Sequence, residues 1–326
     1  MARPSRYIPR DTSRRRIWVY LAVGAFIAVD ILLIVLALGS ARPGAEVEAR
    51  QTTPTIDAVA STSAPTPTAT PAPAPSAEVV LPLPTTRLLG AVDENTAWRA
   101  ATGDCPATPA SPELTTDGGA TWKTTNATGP AKVTALQRLM VTSESVVEMV
   151  GLAKSDCAPQ FVKTFVAGDN YSASSDKTAA TWFVDPADRA TVHSPAGDAT
   201  APCDAVVALA VRDDESAAVL CSDGSLFDTT DAAKTWSSPV TLAGAVAMTT
   251  TDTGYLAATV GRAECAGVQL LTLTPDLESS GAGCFTSGAS PASLAGSVAL
   301  SSAADTLWLW AGDAFVRSAD GGATWK

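Results

Sequence analysis

The stretches TTDGGATW (115–122) and SADGGATW (318–325) share one pattern, a polar turn that contains Asp and Gly and is followed by Thr-Trp. Two related stretches lie between them, SSDKTAATW (174–182) and TTDAAKTW (229–236). Recurrence of one motif along a chain is the sequence signature of repeat architectures. The motif therefore predicts that residues 85–326 are built from repeats of one small unit.

A second element recurs together with the turns: an apolar stretch, a polar or acidic turn, and another apolar stretch. It occurs at LLGAVDENTAWRA (88–100), LMVTSESVVEMVG (139–151), VALAVRDDESAAVL (207–220), VAMTTTDTGYLAA (246–258) and SVALSSAADTLWLW (297–310). Short apolar segments bounded by Asp, Asn, Ser and Gly are typical of β-hairpins. Repeats of about 40–50 residues are typical of propeller blades. We expect an all-β propeller of about five blades, and more if the long interval between the second and third units contains further strands.

The aspartate of each turn has a structural interpretation. Its carboxylate can accept hydrogen bonds from backbone N–H groups of its own turn, and Gly119 and Gly322 can supply the left-handed backbone that the turn needs. The tryptophans would pack between neighbouring sheets. Because this chemistry repeats, whereas a catalytic site is usually unique, we expect structural residues rather than acids or metal ligands. They are Asp117, Asp176, Asp231 and Asp320, with Trp122, Trp182, Trp236 and Trp325.

The pattern S/T-x-D-x-G-x-T-W resembles the Asp-box motif of the BNR-repeat superfamily, which includes sialidases, sortilin-type receptor propellers and the photosystem II assembly-factor family. Its pairing with strands such as TDTGYLAA looks most like the last group and its bacterial relatives. The resemblance covers residues 85–326. Three repeats depart from the motif: Thr178 lies near the glycine position after one extra residue, Ala233 replaces the glycine, and one repeat keeps only TPD (274–276). The resemblance implies a propeller that binds or assembles protein or glycan partners without catalysis.

Ring closure is expected to involve the segment EVVLPLP (78–84), which precedes the first repeat. Many propellers close by letting one end of the chain complete the blade at the other end. The final turn ends at Trp325, so we expect residues 78–84 to supply the outer strand of the last blade.

All six cysteines lie in the repeat region, and an even number outside the membrane favours disulfides. Six cysteines allow 15 pairings. Cys203–Cys221 and Cys265–Cys284 are close in sequence, which leaves Cys105–Cys157 between neighbouring repeats. A zinc site is the alternative, but no CxxC occurs and only one histidine is available.

The N-terminus has the pattern of a membrane anchor. Residues 1–16 carry six arginines and are predicted to be cytoplasmic, because positive flanks stay inside. Residues 17–38 form an apolar run long enough for one transmembrane helix. A cleaved signal peptide is the competing interpretation, although its apolar core is normally shorter. Asp30 within the run either contacts a polar partner in the bilayer or is carried by its apolar neighbours.

A change of composition follows the apolar run. Residues 39–84 are rich in Pro, Thr and Ala and include STSAPTPTATPAPAPSAE (61–78), which cannot bury a core. We expect a disordered stalk that presents an extracytoplasmic head, residues 85–326, at the cell membrane.

The charge and the motifs limit the function. The chain has a net charge of −11, carried by the repeat region, so we expect no nucleic-acid partner. No phosphate-binding loop or metal motif occurs, and we expect no cofactor, no metal and no catalytic residue. His193 beside Ser194 lies in what reads as an exposed loop. The alternative to a binding scaffold is a sialidase-like glycoside hydrolase, which needs an arginine cluster and a tyrosine nucleophile; Tyr171 and Tyr255 are the only tyrosines in residues 85–326.

Overall fold

The computed structural model describes residues 80–326, which form six small antiparallel sheets. The first three blades are β1 (Arg87–Ala91), β2 (Ala97–Ala101), β3 (Glu113–Thr115) and β4 (Lys123–Thr124); β5 (Val133–Val141), β6 (Val147–Ala153), β7 (Pro159–Thr164) and β8 (Ser172–Ala173); and β9 (Phe183–Val184), β10 (Thr191–Ser194) and β11 (Gly197–Thr200). Residues 1–79 lie outside the described residues, and with them the predicted cytoplasmic tail, the predicted transmembrane helix with Asp30, and most of the predicted stalk.

The second half of the ring has the same plan. Its blades are β12 (Val206–Val211), β13 (Ala217–Cys221), β14 (Ser225–Thr229) and β15 (Val240–Thr241); β16 (Ala245–Thr250), β17 (Tyr255–Val260), β18 (Gly267–Leu273) and β19 (Ser279–Thr286); and β20 (Val298–Ala303), β21 (Thr306–Ala311) and β22 (Ala314–Ser318). Three one-turn helices lie in connections: α1 (Thr128–Ala131), α2 (Ser175–Thr178) and α3 (Pro291–Leu294). Within residues 80–326 no helix has the length and apolarity to cross a membrane.

Strand order follows chain order in every sheet, and the innermost strands of neighbouring blades touch around a ring that β20 and β1 close. The all-β propeller expected from the sequence is confirmed. The second strands β13 and β17 are buried along their whole length. Sheets that are covered on both faces need apolar residues at successive positions, which explains the continuous runs AAVLC and YLAATV.

The described residues form six blades, so the alternative of more than five blades, with further strands in the long interval, is the correct one. The additional blade, β9–β11, lies in the long interval between the second and third units. Its strands are two to four residues long, and only Phe183, Val192 and Ser194 of their side chains are buried. Segments this short and polar carry no recognisable alternation, so the sequence signal is absent.

The predicted closing strand is wrong. Residues 80–84 form no strand, and Pro82 and Pro84 lack the N–H groups that a ladder requires. The outer position beside β22 is taken by Lys326, which exchanges backbone hydrogen bonds with Arg317 of 2.9 and 3.0 Å. Val80 is buried instead in the core between blades 5 and 6.

The seam between blades 6 and 1 is closed by side chains. Arg99 lies 3.9 Å from the ring centre of Trp122 and 4.9 Å from that of Trp310, and its Nε donates to Glu113 at 2.7 Å. Trp122 meets Phe315 edge to face at 4.7 Å. Stacked arginines and aromatic rings attract each other through the ring quadrupole, so they hold this seam without a shared strand.

The disulfides are confirmed, and the described residues contain no free cysteine. The bonds are Cys105–Cys157, Cys203–Cys221 and Cys265–Cys284, with sequence separations of 52, 18 and 19. The first joins blades 1 and 2, and the last joins the outer strand of blade 5 to the loop before β18. In the chain-entropy model such loops each contribute about 3–4 kcal/mol.

Candidate functional site

The turn of blade 1 is closed by one carboxylate and one hydroxyl. Asp117 Oδ1 accepts from Thr115 Oγ1 at 2.8 Å and from the Thr121 backbone N–H at 2.9 Å, and its Oδ2 accepts from Thr121 Oγ1 at 2.6 Å. Thr115 Oγ1 in turn accepts from the Gly119 N–H at 2.9 Å. Every polar atom of the Asp117 side chain is therefore used inside its own turn.

The same hydrogen bonds recur in blades 4 and 6. They are made by Asp231 with Thr229 and Thr235, and by Asp320 with Ser318 and Thr324. In all three turns the threonine hydroxyl four residues later, followed by its backbone N–H, lowers the pKa of the aspartate to about 2. A carboxyl with this pKa and these partners is a poor acid or base at neutral pH.

Asp176 does not form this arrangement. It lies in α2, and its carboxylate accepts from Ser175 Oγ at 3.3 Å. Trp182 is only 2% exposed and donates its indole N–H to the Asp213 carbonyl of blade 4 at 3.1 Å. The extra residue between Asp176 and the tryptophan, compared with the other motifs, changes the spacing and leaves a connecting helix in place of a closed turn.

Blade 2 places a different stretch, TFVAGDNY (164–171), where blades 1, 4 and 6 have the motif. The Gly168 N–H donates to Thr164 Oγ1 at 3.1 Å, as in blade 1, and the Tyr171 hydroxyl lies 2.6 Å from Thr125 Oγ1 of the preceding blade. Val166 occupies the position of the aspartate. The spacing of Thr, Gly and an aromatic residue equals that at 115, 119 and 122, and this was the signal that sequence analysis missed.

The tip of this turn is exposed and apolar. Phe165 is 55% exposed and Val166 is 49% exposed; Leu81 and Leu83 are the other exposed large hydrophobic residues of the described chain. The same two positions are occupied in the other turns by Thr116-Asp117, Thr230-Asp231 and Ala319-Asp320. We call Phe165 and Val166 the apolar tip.

The apolar tip lies on an acidic face. The turns of blades 1, 2 and 4 each donate a backbone N–H to the first hairpin of the same blade, from Gly118 to Asn95, from Ala167 to Ser145 and from Ala232 to Glu215, so turns and hairpin tips share one face of the propeller. We call it the turn face. Its exposed hairpin tips carry Asp93, Glu94, Glu144, Asp213, Asp214, Glu215, Asp252 and Asp305.

A central channel is the second notable region. The innermost strands surround a cavity of about 190 Å³, lined on one side by Arg87, Gln137 and Arg138 and elsewhere mostly by apolar residues of β12, β16 and β20. A smaller cavity of about 60 Å³ adjoins it beside blade 3 and adds Arg189. Three arginines thus line one channel in a protein of net charge −11.

These arginines are held by backbone carbonyls. Nη1 of Arg138 donates to Trp182 O at 3.0 Å, and Nη1 of Arg189 donates to Val206 O at 3.1 Å. Arg87 donates to the Gly312 carbonyl and lies 4.4 Å from the ring centre of Trp310. Burial lowers the pKa of Arg138 to about 10, which leaves it protonated at neutral pH. Among residues 80–326, no Asp, Glu or Tyr lines either cavity.

The nucleophile candidates lie elsewhere. His193 Nδ1 is 2.5 Å from Asp198 Oδ1, and its ring stacks on Phe183 at 4.5 Å. Ser194 Oγ donates to the Ala232 carbonyl at 2.9 Å, so it does not face His193. Burial raises the pKa of Tyr255 to about 12. In the described part of the chain, no group of His, Cys, Asp and Glu is arranged to hold a metal ion.

These features define a disulfide-linked, six-bladed β-propeller with an arginine-lined channel and an acidic turn face. No family model and no curated protein matches the chain. It is similar in structure to YCF48 from Cyanidioschyzon merolae (16% identity, 76% of this chain and 86% of that chain, TM-score 0.39). It is also similar to PorZ, a surface component of the type-IX secretion system of Porphyromonas gingivalis (10%, 76% and 39%, TM-score 0.38), and to a GH74 xyloglucanase from Xanthomonas campestris (17%, 73% and 37%, TM-score 0.30). Similarity at this level carries no argument about function.

Proposed function

We propose that this chain is a membrane-anchored, extracytoplasmic propeller that acts as a non-catalytic binding scaffold for a protein partner. The apolar run 17–38 behind an arginine-rich tail supports the anchor and the orientation. The apolar tip is the observation that carries the binding role.

The apolar tip is not required by the fold of its turn. Blades 1, 4 and 6 close the same turn with a polar residue and an aspartate, whereas blade 2 exposes Phe165 and Val166 to water. Full burial of such a side chain contributes about 1.5–3 kcal/mol, and about half of each side chain is still exposed here. Exposed aromatic residues surrounded by polar surface are typical anchors of protein–protein contacts.

The surrounding charge indicates the kind of partner. The turn face is acidic at five of its hairpin tips, and Lys163, 4.0 Å from the Phe165 ring centre, is paired with Glu148 at 3.5 Å. A complementary partner is a protein whose contact surface is basic and contains an apolar recess for Phe165.

The alternative, a sialidase-like hydrolase, fits the channel less well. The arginines could hold a carboxylate, but glycoside hydrolysis also needs a pair of acidic residues or a nucleophile at the sugar. The cavity walls within residues 80–326 contain neither Asp, Glu nor Tyr. The lining favours binding over hydrolysis.

Site-specific photo-crosslinking tests the proposal in the full-length, membrane-bound protein. A photoreactive residue at position 165 should give a discrete product with a basic protein, and the same probe at position 116, the equivalent place in blade 1, should not. Identical products from both positions, or none from position 165, would contradict a partner at the apolar tip.

A double substitution, Phe165→Thr with Val166→Asp, separates binding from folding. It copies the Thr-Thr-Asp of blades 1 and 4, so the turn should stay closed and the Tm should not fall. We expect the crosslinked partner, probed from a neighbouring surface position, to be lost. Retention of the partner at full yield by this well-folded variant would rule out the apolar tip as its anchor.

A further inference from the structure

Blade 3 contributes the shortest innermost strand to the channel wall. Its innermost strand, β9, is two residues long, and it lies between the six- and nine-residue strands β12 and β5. The cavity of about 60 Å³ is located beside it. The short strand leaves space that larger innermost strands fill in the other blades.

Two arginines from different blades line this cavity. Arg138 comes from β5 of blade 2, and Arg189 precedes β10 of blade 3. Each guanidinium donates Nη1 to one carbonyl, as described above, and neither forms an ion pair with any described residue. Guanidinium groups have several N–H donors and no acceptor, so most of their donors remain for a further partner.

Two further polar side chains of the cavity, Thr102 and Gln137, have unused hydrogen-bonding capacity. Thr102 Oγ1 is buried and has no hydrogen-bond partner within the described chain. One N–H of the Gln137 side-chain amide donates to the Ala135 carbonyl at 2.8 Å, which leaves its second N–H. Buried polar groups without partners are rare in native proteins and call for an explanation such as an ion or a water molecule.

We propose that this cavity binds one small inorganic anion, such as chloride, which ties blade 3 to blades 1 and 2 through Arg189, Thr102 and Arg138. The lining chemistry favours an anion over water. A water molecule could donate to the Thr102 hydroxyl, but it would leave the positive charges of both guanidiniums without a counter-charge, whereas an anion accepts from their N–H groups and offsets that charge. The remaining walls include Leu88, Phe183 and Leu209, which leave no room for a large hydrated anion.

Electrostatics supports the same assignment. Burial lowers the pKa values of both Arg138 and Arg189, because each positive charge lacks part of its hydration. A monovalent anion between two desolvated guanidiniums would offset that cost. It would bind the folded protein and not the unfolded chain, and so stabilise the fold by mass action.

The test uses the full-length protein purified in detergent, with chloride exchanged for gluconate at constant ionic strength. Tm should rise by several degrees as chloride replaces the bulky gluconate, because only chloride fits the cavity. Arg189→Met should lose this dependence, and Arg262→Met, which removes an arginine outside the channel, should retain it. Equal Tm values in both salts for the unmodified protein would overturn the proposal.

A second measurement does not depend on a variant that folds. Crystals of the unmodified protein grown in bromide should show an anomalous peak between the guanidiniums of Arg138 and Arg189. A fully ordered cavity without that peak, or bromide bound only at other places, would contradict the anion site.

Discussion

The turns of blades 4 and 2 have one backbone shape and two different chemistries. In blade 4 Thr229 and Asp231 close the turn with five hydrogen bonds inside it, and Trp236 reaches back to the Thr200 carbonyl of blade 3 at 3.1 Å. In blade 2 only the threonine contacts remain. The comparison shows that the threonine hydroxyl is sufficient to close the turn. The aspartate position can therefore hold another kind of residue, such as the exposed Val166 of blade 2.

The largest loss of stability is expected from removing the threonine hydroxyl that both turns have at the equivalent position. Thr164→Val removes the hydroxyl that accepts from the Gly168 N–H, and Thr164 is buried. A buried donor left unsatisfied costs about 1–3 kcal/mol, which chemical denaturation can measure. The Thr164→Ser variant keeps the hydroxyl and should lose much less stability. Equal losses in both variants would mean that the methyl group, and not the hydroxyl, matters.

Acid should weaken the aspartate turns together. Their native pKa of about 2 lies below the unfolded value near 3.9. The unfolded chain therefore binds more protons in this range, so the contribution of the turns is complete above about pH 4 and is lost as pH falls towards 2. The free energy of unfolding, measured by denaturant titration at several pH values, should fall through this window. The free energy of unfolding of an Asp231→Asn variant should fall less steeply over the same pH range.

At neutral pH the same substitution probes one turn alone. Asp231→Asn keeps an acceptor oxygen but loses the charge that strengthens the hydrogen bonds from Thr229 and Thr235. We expect a modest decrease in Tm by calorimetry, smaller than that of Thr164→Val. An Asp176→Asn control should leave Tm unchanged, because Asp176 closes no such turn. A decrease of the same size in the control would show that loss of any acidic charge suffices.

The smallest expected effect is a slight gain in stability. Val166→Asp places a carboxylate where it can accept from the Asn170 backbone N–H, since residue 170 occupies the position of Thr121. Asn has no hydroxyl, so only part of the hydrogen-bond set forms and the gain in Tm should be slight. A marked loss of stability would show that the apolar tip is packed and not exposed.

The propeller was predictable from the sequence because its turns are defined by local hydrogen bonds. Asp117, Asp231 and Asp320 make their hydrogen bonds within a few residues, so the motif and the structure coincide. Blade 3 was not recognised because its strands are only two to four residues long and show no alternation of apolar and polar residues. The turn-closing role predicted for Asp176 was wrong. One inserted residue keeps the motif's residue types but changes their spacing, so the turn does not close.

The candidate sites were less accessible to sequence analysis than the fold. Arg138 and Arg189 are 51 positions apart and line one cavity only because blades 2 and 3 are neighbours in the ring, and neither occurs in a motif. The apolar tip becomes recognisable only when the turns of the different blades are compared. The hydrogen bond between Gly168 and Thr164 shows that Phe165 and Val166 occupy a turn that is polar in blades 1, 4 and 6.

The burial of Val80 has a mechanical consequence for any force applied to the propeller from its N-terminal side. Val80 packs with Leu294 and Val298 of the sixth blade, and Thr86 donates both its N–H and its hydroxyl to the Gly296 carbonyl at 2.8 and 2.9 Å. A pull applied from the N-terminal side would reach blade 6 at the same time as β1, and these contacts would spread the load over both partners of the closing seam. Such a force would therefore not detach the first strand from the ring alone.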